Sequence, residues 1–429
     1  MKLAKKGIFV LLTGLVTVIF LELALQVTSW FSTDIDALLS GRPSTRINDR
    51  PDWMPALHHP EHDAKGFRNP SVPVVVPVVA LGDSNTYGWG VKMQEAWPRQ
   101  IERLGARQIY SMAYGGFGPV HLLALFDQAL ALKPKLVVLV FFSGNDLYDA
   151  YRLVYQDEQR LPLVENLKSS DPKVIAELRA IENDPEQTTR MAEIQSAINE
   201  FHTLVRGTGE PRRSRNERPS AVRTFVSQHL KLWGLLRAIR RTFDKSSGKR
   251  MVRYDYLNEE PTWETIRRQA EKNPEIYWTF DNPRVRTVFT LNYRLYGIDM
   301  RDPRIVEGFR ISMDVFRAMQ EKARIQGTNF LVMLWPTKEL AFKELVYQHV
   351  KEVPEGYTTL IGNEELMWNR VRQFLERNTI SYFDLLPTIR ESLRVGDQIY
   401  SISPDSHMNR QGHLIVAERV LAELKSRGF

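Results

Sequence analysis

The sequence predicts an α/β protein: a parallel sheet of five strands with helices on both faces. Three observations predict it. Five short apolar runs, rich in β-branched and aromatic residues, each end abruptly in Gly, Ser, Asp, Asn or Pro. They are VVVPVVALGDS from Val74, RQIYSMAYGG from Arg107, KLVVLVFFSGND from Lys135, NFLVMLWPT from Asn329 and ISYFDLLPT from Ile380. Stretches with helical period alternate with them, at 96–104, 120–132, 303–325, 364–377 and 410–425. The third and fourth runs are separated by an interval of different texture, rich in charge and helical pattern. It reads as an α-rich insertion.

Each strand is short and apolar throughout, as expected where both faces of a parallel sheet are covered. In such sheets ligands bind outside the carboxyl ends of the strands, so the polar terminators are where a site is expected. The chain accordingly divides into 1–31, 32–73, 74–150, 151–305 and 306–429. The first is a basic tip and apolar segment, and the second a polar lead-in that reads as linker. The third and fifth are the two parts of the α/β domain, and 151–305 is the insertion between them.

The 429 residues hold 58 Lys and Arg, 51 Asp and Glu, and no cysteine. Zero cysteine excludes disulfides, cysteine zinc sites, iron–sulfur clusters and a cysteine nucleophile. The net charge of +7 is local in origin: 206–253 holds 14 basic residues against three acidic ones, and the remainder is net negative. Nucleic acid is not the expected partner of a domain outside the cytoplasm.

Residues 8–27, IFVLLTGLVTVIFLELALQV, carry one charge, Glu22. At about 1.5 Å per residue they span roughly 30 Å, a bilayer core. Lys2, Lys5 and Lys6 precede them, so the reading is one transmembrane signal anchor with its amino terminus in the cytoplasm. A cleaved signal is the rival. The exit, ALQVTSWF, suits an interfacial belt better than a cleavage site. The rest of the chain then faces the periplasm. The cluster His58, His59, His62 and Asp63 in HHPEHD could hold a metal but reads as a solvated loop, because no matching ligands follow at fixed spacing.

Four motifs carry chemistry. GDSNTYG at 82–88 follows the first strand, and a serine at a strand-to-helix turn, Ser84, is exposed for nucleophilic attack. YGGFGP at 114–119 follows the second, where glycines let backbone N–H groups face a ligand. SGND at 143–146 follows the third, and the amide of Asn145 can donate to a developing oxyanion. PDSHMNRQGH at 404–413 precedes the last helix and offers a base, His407, with a carboxylate, Asp405, two residues earlier. Asp83 reads as a turn carboxylate, His413 as packing, and Lys338 as a solvated lysine unless it touches an anionic substrate.

This order of motifs resembles the SGNH/GDSL hydrolase superfamily, on Ser84, Gly116 with Gly115 as the alternative, Asn145 and His407. DAKGFRNP at 63–70, KPKLVVLVFFSGND and WPTKELAF at 335–342 look like the larger membrane-anchored bacterial members, some similar to proteins of exopolysaccharide O-acetylation. Two departures stand out: Asp405 and His407 are two apart where many members have three, and GDSN replaces GDSL.

The resemblance implies a three-layer α/β/α, flavodoxin-like fold and a Ser84–His407–Asp405 triad. It implies an oxyanion hole from the Ser84 and Gly116 N–H groups and the Asn145 amide, and neither metal nor cofactor. The implied activity is ester hydrolysis, with an O-acylated envelope carbohydrate or a small ester as substrate. An O-acyltransferase with the same triad and a silent, glycan-binding scaffold are the alternatives. Within the insertion, 221–243 reads as a basic amphipathic helix. It either packs on the core, lies on an anionic membrane or holds an acidic glycan.

Overall fold

The five runs form one sheet in the computed structural model, which describes residues 61–105, 107–156, 162–205 and 261–429. Met54, His59 and scattered positions between Thr13 and Thr28 are also described. The strands are β1 (Val78–Gly82), β2 (Ile109–Ala113), β3 (Leu136–Phe142), β6 (Asn329–Trp335) and β7 (Ser381–Asp384). All pair in parallel, in the order β2-β1-β3-β6-β7. That is the flavodoxin-like order, with its reversal between β1 and β3. Every residue of β1, β2 and β3 is buried.

The chain separates into two compact units. Residues 55–209 and 254–429 form the one containing the sheet. The other, 1–54 and 210–253, lies almost entirely outside the described residues. Most of the apolar stretch 8–27 and all of the proposed basic helix 221–243 therefore lie outside them too. Among the described residues no helix is long and apolar enough to cross a membrane.

Helices connect the strands on both faces. α1 (Ser84–Tyr87) and α2 (Trp97–Arg103) follow β1; α3 (Pro119–Leu130) follows β2; α4 (Asp146–Tyr155) follows β3. The interval up to β6 holds α5 (Pro172–Glu182), α6 (Pro185–Val205), α7 (Trp263–Ala270), α8 (Leu291–Ile298) and α9 (Pro303–Ile325). It also contains an antiparallel hairpin, β4 (Trp278–Asp281) with β5 (Arg286–Phe289), which the α-rich reading did not anticipate.

After β6 come α10 (Lys338–Ala341), α11 (Lys343–His349) and α12 (Glu355–Arg377). After β7 come α13 (Leu386–Val395) and α14 (Arg410–Ser426). Phe141 of β3 meets Phe316 of α9 and Trp368 of α12 edge-on, which places both helices on one face. α12 starts nine residues before the 364 expected from sequence, because Tyr357, Leu360 and Ile361 are buried there despite flanking Thr and Gly.

The end of the lead-in, from residue 61 on, packs into the unit that holds the sheet, and most of 32–60 lies outside the described residues. Asp63, Phe67, Arg68 and Asn69 are buried. The Asn69 side chain accepts from Ser111 N (2.9 Å) and donates to Ser111 O (2.9 Å), so its amide stands in for a neighbouring strand on the β2 edge. Farther along that edge, Glu102 accepts from Ile109 N and the Arg99 guanidinium donates to Ile109 O. An edge covered in this way offers no template for another chain. Of the HHPEHD cluster, His62 is within 3.0 Å of the Tyr87 hydroxyl, and Asp63 accepts from Tyr110 (2.8 Å) and Asn69 (3.1 Å). These residues belong to the packed unit and not to a solvated loop. His58 lies outside the described residues.

α9 crosses α4 at Gly308, where an added Cβ would stand 1.9 Å from the Leu147 carbonyl oxygen. Backbone cannot yield as a flexible side chain can. Gly308→Ala gains about 1 kcal/mol of helix propensity against roughly 1–3 kcal/mol or more of overpacking. A net loss of stability of about 1–2 kcal/mol is expected, read as a lower urea midpoint at constant slope. An unchanged or raised midpoint would contradict this close contact.

Candidate active site

The first strand ends in GDSN because the turn requires it. A Cβ on Gly82 would lie 2.2 Å from Thr86 Oγ1. Asp83 caps α1 by accepting from Asn85 N (2.9 Å) and also receives the Asn85 amide (3.0 Å). Gly88, at φ +79°, closes the helix with its N–H on the Ser84 carbonyl. Ser84 is thus the first residue of a tight, one-turn helix at the carboxyl end of β1. Its N–H is among those without an intrahelical partner.

The histidine arrives from the other end of the chain. Residues 399–409 form a loop closed at its base: Tyr400 bridges Met408, Asn409 N donates to Ile399 O (3.0 Å), and Asn409 Nδ2 donates to Gln398 O (2.6 Å). From this loop His407 places Nε2 2.8 Å from Ser84 Oγ and Nδ1 2.6 Å from Asp405 Oδ1. Asp405 Oδ1 also accepts the His407 N–H (2.9 Å). The ionised carboxylate can only accept, so Nδ1 carries the ring proton and Nε2 is left to accept from the serine. The Trp89 ring lies 6.3 Å from the imidazole, centre to centre.

Of the two glycines, Gly115 is beside Ser84: a Cβ there would be 4.0 Å from Ser84 Cβ and 3.7 Å from the Trp89 ring. Gly116, at φ +83°, makes the exposed turn that follows. The alternative, Gly115, is therefore the glycine whose Cα faces Ser84. Asn145 stands at the end of β3, next to β1 in the sheet, as the residue before α4. Its Nδ2 donates to Asp149 Oδ2 at 2.6 Å, which fixes which end of the amide is nitrogen. The turn is held from the insertion. A Cβ on Gly297 of α8 would lie 2.6 Å from the Gly144 carbonyl oxygen, and Arg294 donates to that same oxygen (3.0 Å).

Several residues of the site were not legible in the sequence. Burial raises the Asp83 carboxyl above its ordinary value. It raises Asp146 well above, with the Asp83 charge adding to the effect. Asp83 itself is the turn carboxylate expected. Glu364 of α12 accepts from Ser143 Oγ (2.7 Å) after β3, and from Thr337 N (2.9 Å) and Thr337 Oγ1 after β6. It thereby ties two strand ends together. Lys338 is neither a solvated lysine nor positioned as a surface anion contact. It is completely buried, and its ammonium donates to the carbonyls of Val288 (2.9 Å), Ser403 (3.0 Å) and Asp405 (3.0 Å). A lone lysine after a strand gives no signal of this, because the acceptors lie far away in sequence. Among the described residues no group of three or more His, Asp or Glu could hold a metal ion.

With the geometry in hand, comparison with known proteins agrees on one region. Residues 80–211 match the model of the GDSL-like lipase/acylhydrolase family. The match includes Ser84, Gly115, Gly116 and Asn145 and stops well before Asp405 and His407. No curated protein matches the chain. Solved structures match over most of it at low identity. One is a catalytic mutant of an acetylxylan esterase from Geobacillus stearothermophilus: 10% identity, 83% of this chain, 96% of that one, TM-score 0.32. Another is a GDSL-like lipase from Bacteroides thetaiotaomicron: 10% identity, 82% and 88% covered, TM-score 0.31. A third is an alpha/beta hydrolase enzyme from the metagenome of Lake Arreo, Spain: 10% identity, 82% and 95% covered, TM-score 0.33. At these scores the likenesses carry no argument, and the fold rests on the strand order itself.

His413 packs, as expected from sequence. It is buried against Trp335, and its Nδ1 accepts from Trp97 N (3.4 Å). Burial lowers its pKa to about 3, with the nearby Arg68 charge acting in the same direction. An unfolded histidine titrates near 6.5. Below that pH the unfolded chain takes up a proton that the folded one refuses. The contribution of His413 is therefore fully present above pH 6.5 and is lost as pH drops toward 3, by about 1.4 kcal/mol per pH unit. In urea titrations from pH 7 to 4.5, where buried His121 adds to the same trend, His413→Gln should make the fall in stability shallower. An equal slope in the variant would contradict a neutral, buried His413.

Proposed function

We propose that the chain is a serine ester hydrolase that removes acyl groups, acetyl foremost, from a carbohydrate of the cell envelope. The observation that carries the proposal is the relay Asp405–His407–Ser84, with links of 2.6 and 2.8 Å at the carboxyl edge of the sheet. Serine and histidine are within hydrogen-bond reach, and the base is oriented by a third group, as an activated nucleophile requires. The match of 80–211 to a family of acylhydrolases supports the same chemistry.

On this reading Ser84 Oγ attacks the ester carbonyl while His407 Nε2 takes its proton. The tetrahedral oxyanion is met by the Ser84 N–H, an N–H of the Gly115–Gly116 turn and the Asn145 amide. His407 then returns the proton to the departing alcohol. Water, deprotonated by the same imidazole, releases the acid and restores Ser84. Read as a membrane anchor, the apolar segment 8–27 would put the site outside the inner membrane, where envelope glycans are within reach. An acyl acceptor other than water would make the same intermediate a transferase.

The full chain in detergent should hydrolyse 4-nitrophenyl acetate in water alone. Ser84→Ala and His407→Ala should each lower kcat by about 10⁴-fold or more while remaining folded. A wild-type rate no higher than that of its folded variants would overturn the hydrolase reading. A rate that rises only when a sugar acceptor is supplied would replace it with acyl transfer.

A further inference from the structure

Lys338 lies outside the relay, yet its ammonium is completely buried. Moving a charge out of water is costly unless dedicated acceptors surround it. Here three main-chain carbonyls do so. Two, from Ser403 and Asp405, belong to the loop that carries the base. The third, from Val288, belongs to β5 in the insertion. The Asp405 carbonyl is only two residues from His407, and the side chain of that same aspartate orients the imidazole.

Lys338 is the last of a series of bridges. Gln398 exchanges two bonds with the Arg286 backbone (2.8 and 3.0 Å), and Thr287 Oγ1 donates to Ser401 O (3.1 Å). Beyond them Lys338 spans Val288 and Ser403. Strand β5 thus runs beside 398–403 and is joined to it through side chains. A ladder of this type sets where the loop sits along β5, and Lys338 fixes its far end, next to Asp405.

We infer that Lys338 is a positioning residue for the Asp405–His407 pair, and that through it the β4–β5 hairpin of the insertion forms part of the catalytic apparatus. The inference rests on the hydrolase reading. Lys338 touches no reacting atom, so its loss should lower the rate of proton transfer and leave substrate binding largely intact. Displacing a catalytic group by about an ångström can cost about 10²-fold.

The test uses the full chain and 4-nitrophenyl acetate, with Ser84→Ala as the control for the reading itself. If wild type is active and Ser84→Ala is not, the reading stands and the Lys338 variants decide this inference. Lys338→Met should then lower kcat about 10²-fold with KM changed less than about threefold. Reaction of Ser84 with a fluorophosphonate should slow in parallel, because it depends on the same serine–histidine geometry. Thr287→Val, isosteric and uncharged, removes a milder rung and should lower kcat about three- to tenfold, again at constant KM. It decides the matter should Lys338→Met fail to fold. Folded variants with wild-type kcat, or a rise in KM that accounts for the loss, would overturn the inference. An inactive wild type would instead overturn the hydrolase reading.

Discussion

A hydrogen bond between residues 323 positions apart, Ser84 and His407, is the contact on which the site depends. Neither partner has the chemistry alone. A serine hydroxyl is a weak nucleophile until a base accepts its proton, and a histidine on a loop is an ordinary titrating group. The parallel sheet solves the problem of distance. Every strand delivers its carboxyl end to one edge, so short polar terminators from β1, β2 and β3 become neighbours. The last loop then returns His407 to the same edge.

The surrounding residues keep that edge rigid. Asp83 caps the helix that begins at Ser84, Glu364 ties the ends of β3 and β6, and Asp149 holds the Asn145 amide. α8 braces the Gly144 turn, and Lys338 joins the loop that carries His407 to β5. Much of this support comes from the interval between β3 and β6. The described segment 261–305 of the insertion is therefore structurally continuous with the site. Burial places charged groups where few waters can follow. The protein responds by raising the pKa values of Asp83, Asp146 and Glu364 and by keeping His413 neutral.

The sheet was legible because its signal is local. An apolar run flanked by polar punctuation, such as LVVLVFF before SGND, marks a buried parallel strand whatever surrounds it. Ser84 and Asn145 were legible because their motifs sit where such strands end, and Asp405 and His407 because theirs sits just before the last helix. The hairpin was not: strands of four residues, WTFD and RTVF, are too short to show a period. Lys338 was misread for a different reason. Lysine is normally exposed, and its three carbonyl acceptors lie 50, 65 and 67 positions away. The choice between Gly115 and Gly116 was also beyond sequence, since it depends on which Cα faces Ser84.

The most direct test of this account is where a covalent inhibitor lands. A fluorophosphonate reacts with a serine only when a base has activated it. After incubation with the full-length protein, peptide mass mapping should place a single adduct on Ser84, and His407→Ala should abolish it. An adduct on another residue, or equal labelling of Ser84 in the folded His407 variant, would contradict the claim that these distant segments form one catalytic unit.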